Sequence, residues 1–313
     1  MKTKLVLTMI LASFLLLTGC SNNDGNVKQS EALSKSSSAS KSSSVTNQTY
    51  PEAQAEVLAT FVDIATNITL GAGLGYGFGS DDPNEYMDQL ISFHDYEGYT
   101  FTEFNYDSNG VGHSYTAEEN EVNERTLFGT IVDEGGVQKF AAVPGTLNIA
   151  VYYGNVANLT FISDFELRIG GDLHIVNNLI TLLFVKTKGE WKMVHEHHSP
   201  LKVDPSTGSE TGSIPSEAPD LSSPAQQEVY ATFGAIGASI MANSGTGSEN
   251  MDELISFHAY GPKFTEFNYD PNGNGYSFNS EENEANERAF FGGNKVTRFA
   301  AKANTVNIAV YYG

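Results

Sequence analysis

The chain has 313 residues, with 17 Lys and Arg against 38 Asp and Glu, a formal net charge of −21, and one cysteine. This acidity excludes a nucleic-acid-binding role, because neutralising phosphates requires clustered Lys and Arg. A single cysteine excludes an internal disulfide, so each domain must depend on its hydrophobic core. The length is enough for about two domains of ordinary size.

The first 20 residues have the layout of a secretory signal. Two lysines precede the uncharged run Leu5 to Leu17, which is too short to span a bilayer comfortably. The run ends in Leu17-Thr18-Gly19-Cys20 and resembles a bacterial lipoprotein signal, in which the cysteine is diacylated and becomes the new N-terminus. We therefore predict a signal peptide at 1–19, lipidation at Cys20 and an extracytoplasmic location, lipid-anchored to the bacterial cell membrane. The alternative is an ordinary signal peptide that happens to contain a cysteine.

Two segments are predicted to be linkers. Residues 21–50 contain ten serines and almost nothing that a core would bury, which is typical of a flexible spacer following Cys20. Residues 203–225 contain four prolines among Ser, Thr and Glu, which predicts a stiffer spacer. These boundaries leave two domains, at 51–202 and 226–313.

The two domains repeat one sequence, and we refer to them as the first and second copies. The segments Phe101–Asp107 and Asn148–Gly154 return unchanged at Phe264–Asp270 and Asn307–Gly313. A period near 165 residues is too long for a solenoid unit, so the pattern indicates a duplicated domain.

The first copy is predicted to be helical at its start and mostly β after that. Helices are expected from Pro51 to about Ile68, over Asn84–Phe93 and after the capping box Thr116-Ala-Glu-Glu119. Strands are expected at Tyr99–Tyr106 and throughout the segment from Leu147 onward, including one long apolar strand over 173–186 and a last one over 190–199. This order predicts an α+β fold.

The last predicted strand carries a recognisable pattern. Its sequence, Gly189-Glu-Trp-Lys-Met-Val-His-Glu-His-His-Ser199, resembles the closing strand of SnoaL-like domains, which belong to the nuclear transport factor two-like (NTF2-like) superfamily. The resemblance implies a cone-shaped, curved antiparallel sheet packed on helices, with a pocket in its mouth and dimerisation through the sheet. It covers about 51–202 and the shorter second copy. The family includes enzymes and domains without catalysis, so the resemblance does not choose a function.

Strand alternation predicts that Trp191, Met193, His195 and His197 share one face. If that face lines the cone, His195 or His197 acts as an acid or base, or binds a metal together with Glu103. The alternative is a hydrogen-bonded framework at the end of a strand. Other candidates for the pocket are Asp63, as a catalytic carboxylate, and His94 and Tyr99, as ligand contacts.

A second motif lies in the second copy. Asp270, Asn272 and Asn274, followed by Glu281 at the twelfth position, have the spacing of an EF-hand calcium loop. The preceding segment reads as a strand, where an EF-hand would have a helix. The alternative is therefore an Asn-Gly turn leading into a capped helix.

The second copy is expected to be incomplete. Gly313 aligns with Gly154, after which the first copy continues through three predicted strands and the Trp191 to His198 segment. We interpret the sequence as a fragment or a prematurely terminated reading frame. The alternative is that the second copy borrows strands from the first copy or from another molecule.

These observations favour a membrane-tethered, extracytoplasmic lipoprotein. Its SnoaL-like domains are expected to bind a small apolar ligand or a partner without chemistry and without a cofactor, and to form a homodimer through the sheet. The alternative is an isomerase- or cyclase-type enzyme that uses His195 or His197 with a pocket carboxylate.

Overall fold

The computed structural model describes residues 48–71, 83–98, 101–106, 111–131, 136–169, 171–202, 219–270, 272–301 and 306–311. The predicted signal peptide, Cys20, almost all of the first linker and most of the second lie outside these ranges. Within them, no helix has the length and apolarity to cross a membrane.

Three helices form one layer of the first copy: α1 (Pro51–Gly71), α2 (Pro83–Ser92) and α3 (Ala117–Ile131). Helix α1 begins with proline, whose fixed φ suits the first helical position. Its apolar residues recur every three or four positions and are buried, at Val57, Phe61, Ile64 and Ile68. The predicted capping box opens α3, since the Thr116 N–H and hydroxyl donate to the Glu119 carboxylate.

Eight strands form the sheet of the first copy. They are β1 (Thr102–Tyr106), β2 (Gly112–Thr116), β3 (Gly136–Ala142), β4 (Asn148–Tyr152), β5 (Val156–Ile169), β6 (Asp172–Val176), β7 (Asn178–Thr187) and β8 (Glu190–Pro200). The main order is β2-β1-β8-β7-β5-β3, and β4 and β6 also pair with β5. The long strand β5 therefore runs through the centre of the sheet, with Leu159, Phe161 and Leu167 fully buried.

The α+β prediction is confirmed: a curved, mostly antiparallel sheet packs on helices. Three details differ from the sequence-based expectation. The sequence pattern does not predict strands β2 and β3, and the expected long strand over 173–186 is two strands separated at Asn177. The pair β1 and β8 is parallel, whereas every other pair in the sheet of described strands is antiparallel.

A tight hairpin turn joins β7 to β8. Its two central residues, Lys188 and Gly189, have φ values of 53° and 90°. Positive φ at both positions gives the turn a twist that matches the flanking strands. The turn thereby sets the register in which the last strand returns along β7.

The second copy repeats the helical layer and the first hairpin. Its elements are α4 (Pro224–Asn243), α5 (Asp252–Ile255), β9 (Glu266–Tyr269), β10 (Gly275–Phe278) and α6 (Ser280–Gly293). Strands β9 and β10 form a separate two-stranded sheet. One polar anchor is the same in both copies: Gln54 donates to the Ile149 carbonyl at 2.9 Å, and Gln226 donates to the Ile308 carbonyl at 3.2 Å.

Candidate functional site

A β-bulge in β8 decides which side chains meet at the site. On β7, Leu183 pairs with His195, but the next residue, Phe184, pairs with Met193, so Val194 has no partner of its own. The extra residue shifts the alternation of side chains by one position. The expectation that His195 and His197 share a face with Trp191 is therefore corrected: Glu196 and His198 continue that face.

The register with β1 places the two sets of side chains on opposite sides of the sheet. Thr102 lies beside His195, Glu103 beside Glu196, and Phe104 beside His197. The expected combination of Glu103 with His195 or His197 therefore does not form.

His195 and His197 lie on the side of the sheet opposite Glu196, which we call the outer face, and both have local partners. His195 Nδ1 lies 2.9 Å from the Thr102 hydroxyl and 3.0 Å from the Thr102 carbonyl oxygen. His197 is exposed, and its Nε2 lies 2.9 Å from the Ser199 hydroxyl. The Phe104 ring stands edge-on to both imidazoles. These contacts are those of a hydrogen-bonded strand end, the alternative that the sequence left open.

The helix-facing side holds a buried carboxylate between two imidazoles. Glu196 is 4% exposed, and its two oxygens lie 2.7 Å from His94 Nε2 and 3.1 Å from His198 Nε2. His94 lies two residues after the end of helix α2, and its ring stacks on Tyr96. The backbone of His94 forms an isolated bridge with Met193, which fixes the end of α2 against β8.

A second buried carboxylate lies next to this group. Glu103 is 4% exposed and accepts hydrogen bonds from the amides of Asn105 at 2.7 Å and Asn120 at 2.9 Å. The Asn120 side chain comes from α3 and in turn accepts a hydrogen bond from the Tyr96 hydroxyl. Side chains from β1, β8, α3 and the segment after α2 thus lie close together. We call this group the inner cluster: His94, Tyr96, Glu103, Asn120, Glu124, Glu196 and His198.

Glu196 and the imidazoles of His94 and His198 stabilise one another's charged forms. Burial alone would raise the pKa of Glu196, but hydrogen bonds from His198 and His94 outweigh burial and hold that pKa below its ordinary value. Burial likewise opposes protonation of the two rings, yet their bonds to Glu196 raise the pKa of both. The cluster therefore favours an ionised Glu196 between two protonated imidazoles.

The pKa values of the two neighbouring carboxyls, Glu103 and Glu124, shift in the opposite direction. Burial, reinforced by the charge of Glu196, raises the pKa of Glu103 and raises the pKa of Glu124 to about 8. Glu124 lies on α3 one turn after Asn120, and it forms no hydrogen bond with another described residue. Its raised pKa favours the neutral acid, whose O–H group is a hydrogen-bond donor.

Sequence reasoning missed Glu124, Glu196 and His198 as members of a site. A signal for Glu124 was present: Asn120, Glu124 and Phe128 are four residues apart, so they follow one side of α3. No comparable signal existed for Glu196 and His198, because their position depends on the bulge at Val194.

Three members of the cluster have the chemistry of metal ligands. One ligand atom each from Glu103, Glu196 and His198 lie within 4.8 Å of one another. Two carboxylates and an imidazole suit a divalent cation such as zinc. In this structure, however, hydrogen bonds from Asn105, Asn120 and His94 already engage the carboxylate oxygens, so the cluster is satisfied without an ion.

The remaining predicted residues lie away from the cluster. Asp63 is exposed on α1, and Tyr99 lies outside the described residues. In the second copy, one Asp270 oxygen accepts from the backbone N–H groups of Asn272 and Asn274, and Glu281 lies exposed in the first turn of α6. This is the arrangement of a turn followed by a capped helix, and calcium binding stays a prediction.

Part of the first copy is similar to a known protein family. The model of the SnoaL-like domain family matches residues 105–202, which include β8 and most of the cluster. Residues 105–202 of the first copy are therefore similar to SnoaL-like domains. No curated protein matches the chain.

Three solved structures are each similar to about half of the chain. A putative dehydratase of the NTF2-like family from Streptomyces avermitilis is 14% identical, with 49% of this chain and 98% of the other covered and a TM-score of 0.36. An NTF2-like protein with a cystatin-like fold from Novosphingobium aromaticivorans is 12% identical, with 50% and 86% covered and a TM-score of 0.35. A CamKII hub homology domain from Chlamydomonas reinhardtii is 19% identical, with 47% and 98% covered and a TM-score of 0.34.

Proposed function

We propose that the protein is a lipid-anchored, extracytoplasmic binding protein whose SnoaL-like domain takes a small, mainly apolar ligand without chemistry. The anchor rests on the signal-like run that ends in Cys20 and on the serine-rich spacer after it. The binding role rests on the inner cluster. Each carboxylate already has two hydrogen-bond partners: Asn105 and Asn120 for Glu103, and His94 and His198 for Glu196. Neither carboxylate is therefore a free base.

Glu124 is the observation that supports ligand binding most directly. Its carboxyl is close enough to influence the pKa values of His94 and Tyr96, whose rings contact each other and Phe101. A ligand that combines an apolar body with one acceptor oxygen suits this mixture of apolar surface and a single donor.

Catalysis by proton transfer is the second candidate. It is favoured by one observation: the raised pKa of Glu124 and the lowered pKa of Glu196 occur in adjacent carboxyls, which is how acid and base roles are separated. In that case Glu124 is the acid. The enzyme would be of the isomerase or cyclase type, and His195 and His197 would take no part in its reaction.

One experiment separates binding from catalysis. The full chain is purified from membranes, and small molecules that are retained with it are extracted and identified by mass spectrometry. Each molecule is then incubated with fresh protein and recovered. If the molecules are recovered unchanged and the Glu124→Gln variant retains them more weakly, the result supports binding. If the molecules are converted and Glu124→Gln abolishes the conversion, the result supports an enzymatic function. Glu118→Gln, an exposed position in the first turn of the same helix, is the matched control.

The homodimer also stays a proposal. The outer face of the sheet carries exposed apolar side chains, including Phe104 at 40% and Ile175 at 58% exposure. Burial of such residues would favour association through the sheet.

A further inference from the structure

The centre of the outer face is buried, although it lies outside the main core of the first copy. Alternation along β4 and β7 places Ala150, Leu179 and Val185 on the side of the sheet opposite the helices. These three side chains are at most 2% exposed, whereas Phe104 and Ile175 elsewhere on the face are exposed by 40% and 58%. An element other than the helical layer therefore covers the centre of this face.

The second copy contacts the first at the end of β8. The carbonyl of Leu201, the residue after β8, accepts a hydrogen bond from the Gly275 N–H of β10 at 2.6 Å, and Lys202 forms an isolated antiparallel bridge with Asn274. On its other side, the Leu201 N–H donates to the Asn177 carbonyl of the first copy at 3.1 Å. The backbone at Leu201 is therefore held by both copies at once.

Gly275 shows how closely the two copies approach each other. A Cβ atom at Gly275 would lie 2.7 Å from Leu179 Cδ1 and 2.9 Å from the Leu201 carbonyl oxygen, both too short for a carbon contact. At Gly112, the equivalent position in the first copy, a Cβ atom would meet nothing within 4 Å. The backbone of neither glycine is left-handed, so the requirement for glycine at 275 comes from packing.

Tyrosines add polar contacts at two places between the copies. The Tyr269 hydroxyl donates to the Pro200 carbonyl at 2.8 Å. Elsewhere, the Tyr152 hydroxyl donates to the Lys263 carbonyl at 3.3 Å. The Lys263 ammonium lies 4.9 Å from the centre of the Tyr152 ring and 5.3 Å from that of Tyr50. An ammonium over an aromatic face is attracted by the ring, so Lys263 is held by both tyrosines.

These two places lie at opposite ends of the outer face. Through β5, Tyr152 is in register with the residue of β7 that lies six positions after Leu179. Lys263 likewise lies six positions before Tyr269. Six residues of strand span about 20 Å. The second copy therefore has contacts whose spacing matches the length of the buried part of the face.

We propose that the second copy is a built-in partner of the first, docked along the outer face of its sheet through Lys263, Tyr269, Asn274 and Gly275. We call these four the docking residues. They close the centre of the face to other partners and hold the end of β8, the strand that carries His198 of the inner cluster. A homodimer would then have to use the parts of the face that stay exposed.

Disulfide trapping in the full chain tests this contact. Lys202→Cys is combined with Asn274→Cys, the protein is oxidised mildly and separated by size, and the disulfide is identified by mass spectrometry. We expect a bond between positions 202 and 274 within one molecule. It should form at least tenfold faster than the bond in a control that combines Lys188→Cys with Asn274→Cys, because Lys188 lies in the turn at the opposite end of β8.

A pair of alanine variants tests the close approach at Gly275. When Gly275→Ala is added to the trapping variant, the new methyl group should lower the rate of trapping at least tenfold. The same substitution in the otherwise unchanged chain should speed hydrogen exchange at the Leu201 amide. Gly112→Ala makes the equivalent change in open space and should leave both measurements unchanged.

Three results would overturn the proposal. The first is trapping no faster than in the control pair, which would show that the copies do not meet at this place. The second is a disulfide found only in covalent dimers, because a second molecule would then be the occupant of the face. The third is an equal effect of the two alanine variants, since Gly275 would then have no closer neighbour than Gly112 has.

Discussion

The inner cluster predicts a specific effect of Glu196→Gln on stability. The substitution keeps the shape of the side chain but removes the charge that lies between His94 and His198. Removing one partner of a buried ion pair costs roughly 3–5 kcal/mol. Because both histidines can lose their protons, we expect a cost near the lower limit, about 3 kcal/mol at pH 6. For a unit of this size, that corresponds to a fall in Tm of about 6–12 °C.

The effect should depend on pH in a defined direction. Glu196 has a lowered pKa, so its stabilising contribution is present above the ordinary glutamate pKa of about 4.5 and is lost as pH falls through the lowered value. His94 and His198 have raised pKa values, so their contribution is complete below about pH 6.5 and is lost as pH rises through the raised values. The loss of stability in Glu196→Gln should therefore be largest near pH 5 to 6.5 and shrink towards pH 9.

The assay is thermal unfolding followed by tryptophan fluorescence. Trp191 is the only tryptophan of the chain, so the signal reports the first copy alone. Glu190→Gln is the matched control, because Glu190 lies on the same strand but is 71% exposed and paired with Lys192. Exposed pairs contribute about 0–1 kcal/mol, so this control should change Tm little. An equal effect of both substitutions, or a Glu196→Gln effect that does not vary with pH, would refute the reasoning.

Three further predictions concern other parts of the chain. Cys20→Ala should abolish labelling with radioactive fatty acid and leave the signal peptide uncleaved, and normal labelling would reject the lipid anchor. Val57→Ala should lower the free energy of unfolding by about 2 kcal/mol because Val57 is fully buried, whereas Val229→Ala should cost less than about 0.5 kcal/mol, as denaturant titration would show. Millimolar calcium should shift Tm little relative to chelator, and a rise of several degrees that is lost in Asp270→Ala would show that the loop binds calcium after all.

The fold was accessible from the sequence because its signals are local. The spacing of Val57, Phe61 and Ile64 on α1 and the capping box before α3 each depend on a few neighbouring residues. Strands β2 and β3 were missed because their residues, Gly112–Thr116 and Gly136–Ala142, lack an extended alternating pattern of apolar residues. The break at Asn177 was also missed, since the apolar run on both sides of it reads as one strand.

The site was less accessible because it depends on a tertiary feature. Alternation along β8 is a sound rule until one residue bulges, and the bulge at Val194 reverses the faces of every later side chain. Sequence reasoning therefore selected His195 and His197, whereas the structure brings Glu196 and His198 to Glu103. The choice between the two sets depends on the pairing register with β7, which no local pattern in β8 records.

The most direct test of this account is an NMR titration of the individual histidine rings in the full chain. If the bulge places Glu196 and His198 in the inner cluster, His94 and His198 titrate above the ordinary histidine pKa. His195, whose ring is partly buried on the other face, titrates below it, because burial lowers its pKa. In Glu196→Gln the pKa values of His94 and His198 should fall, and that of His195 should change little. A raised pKa at His195 together with ordinary values at His94 and His198 would contradict the account.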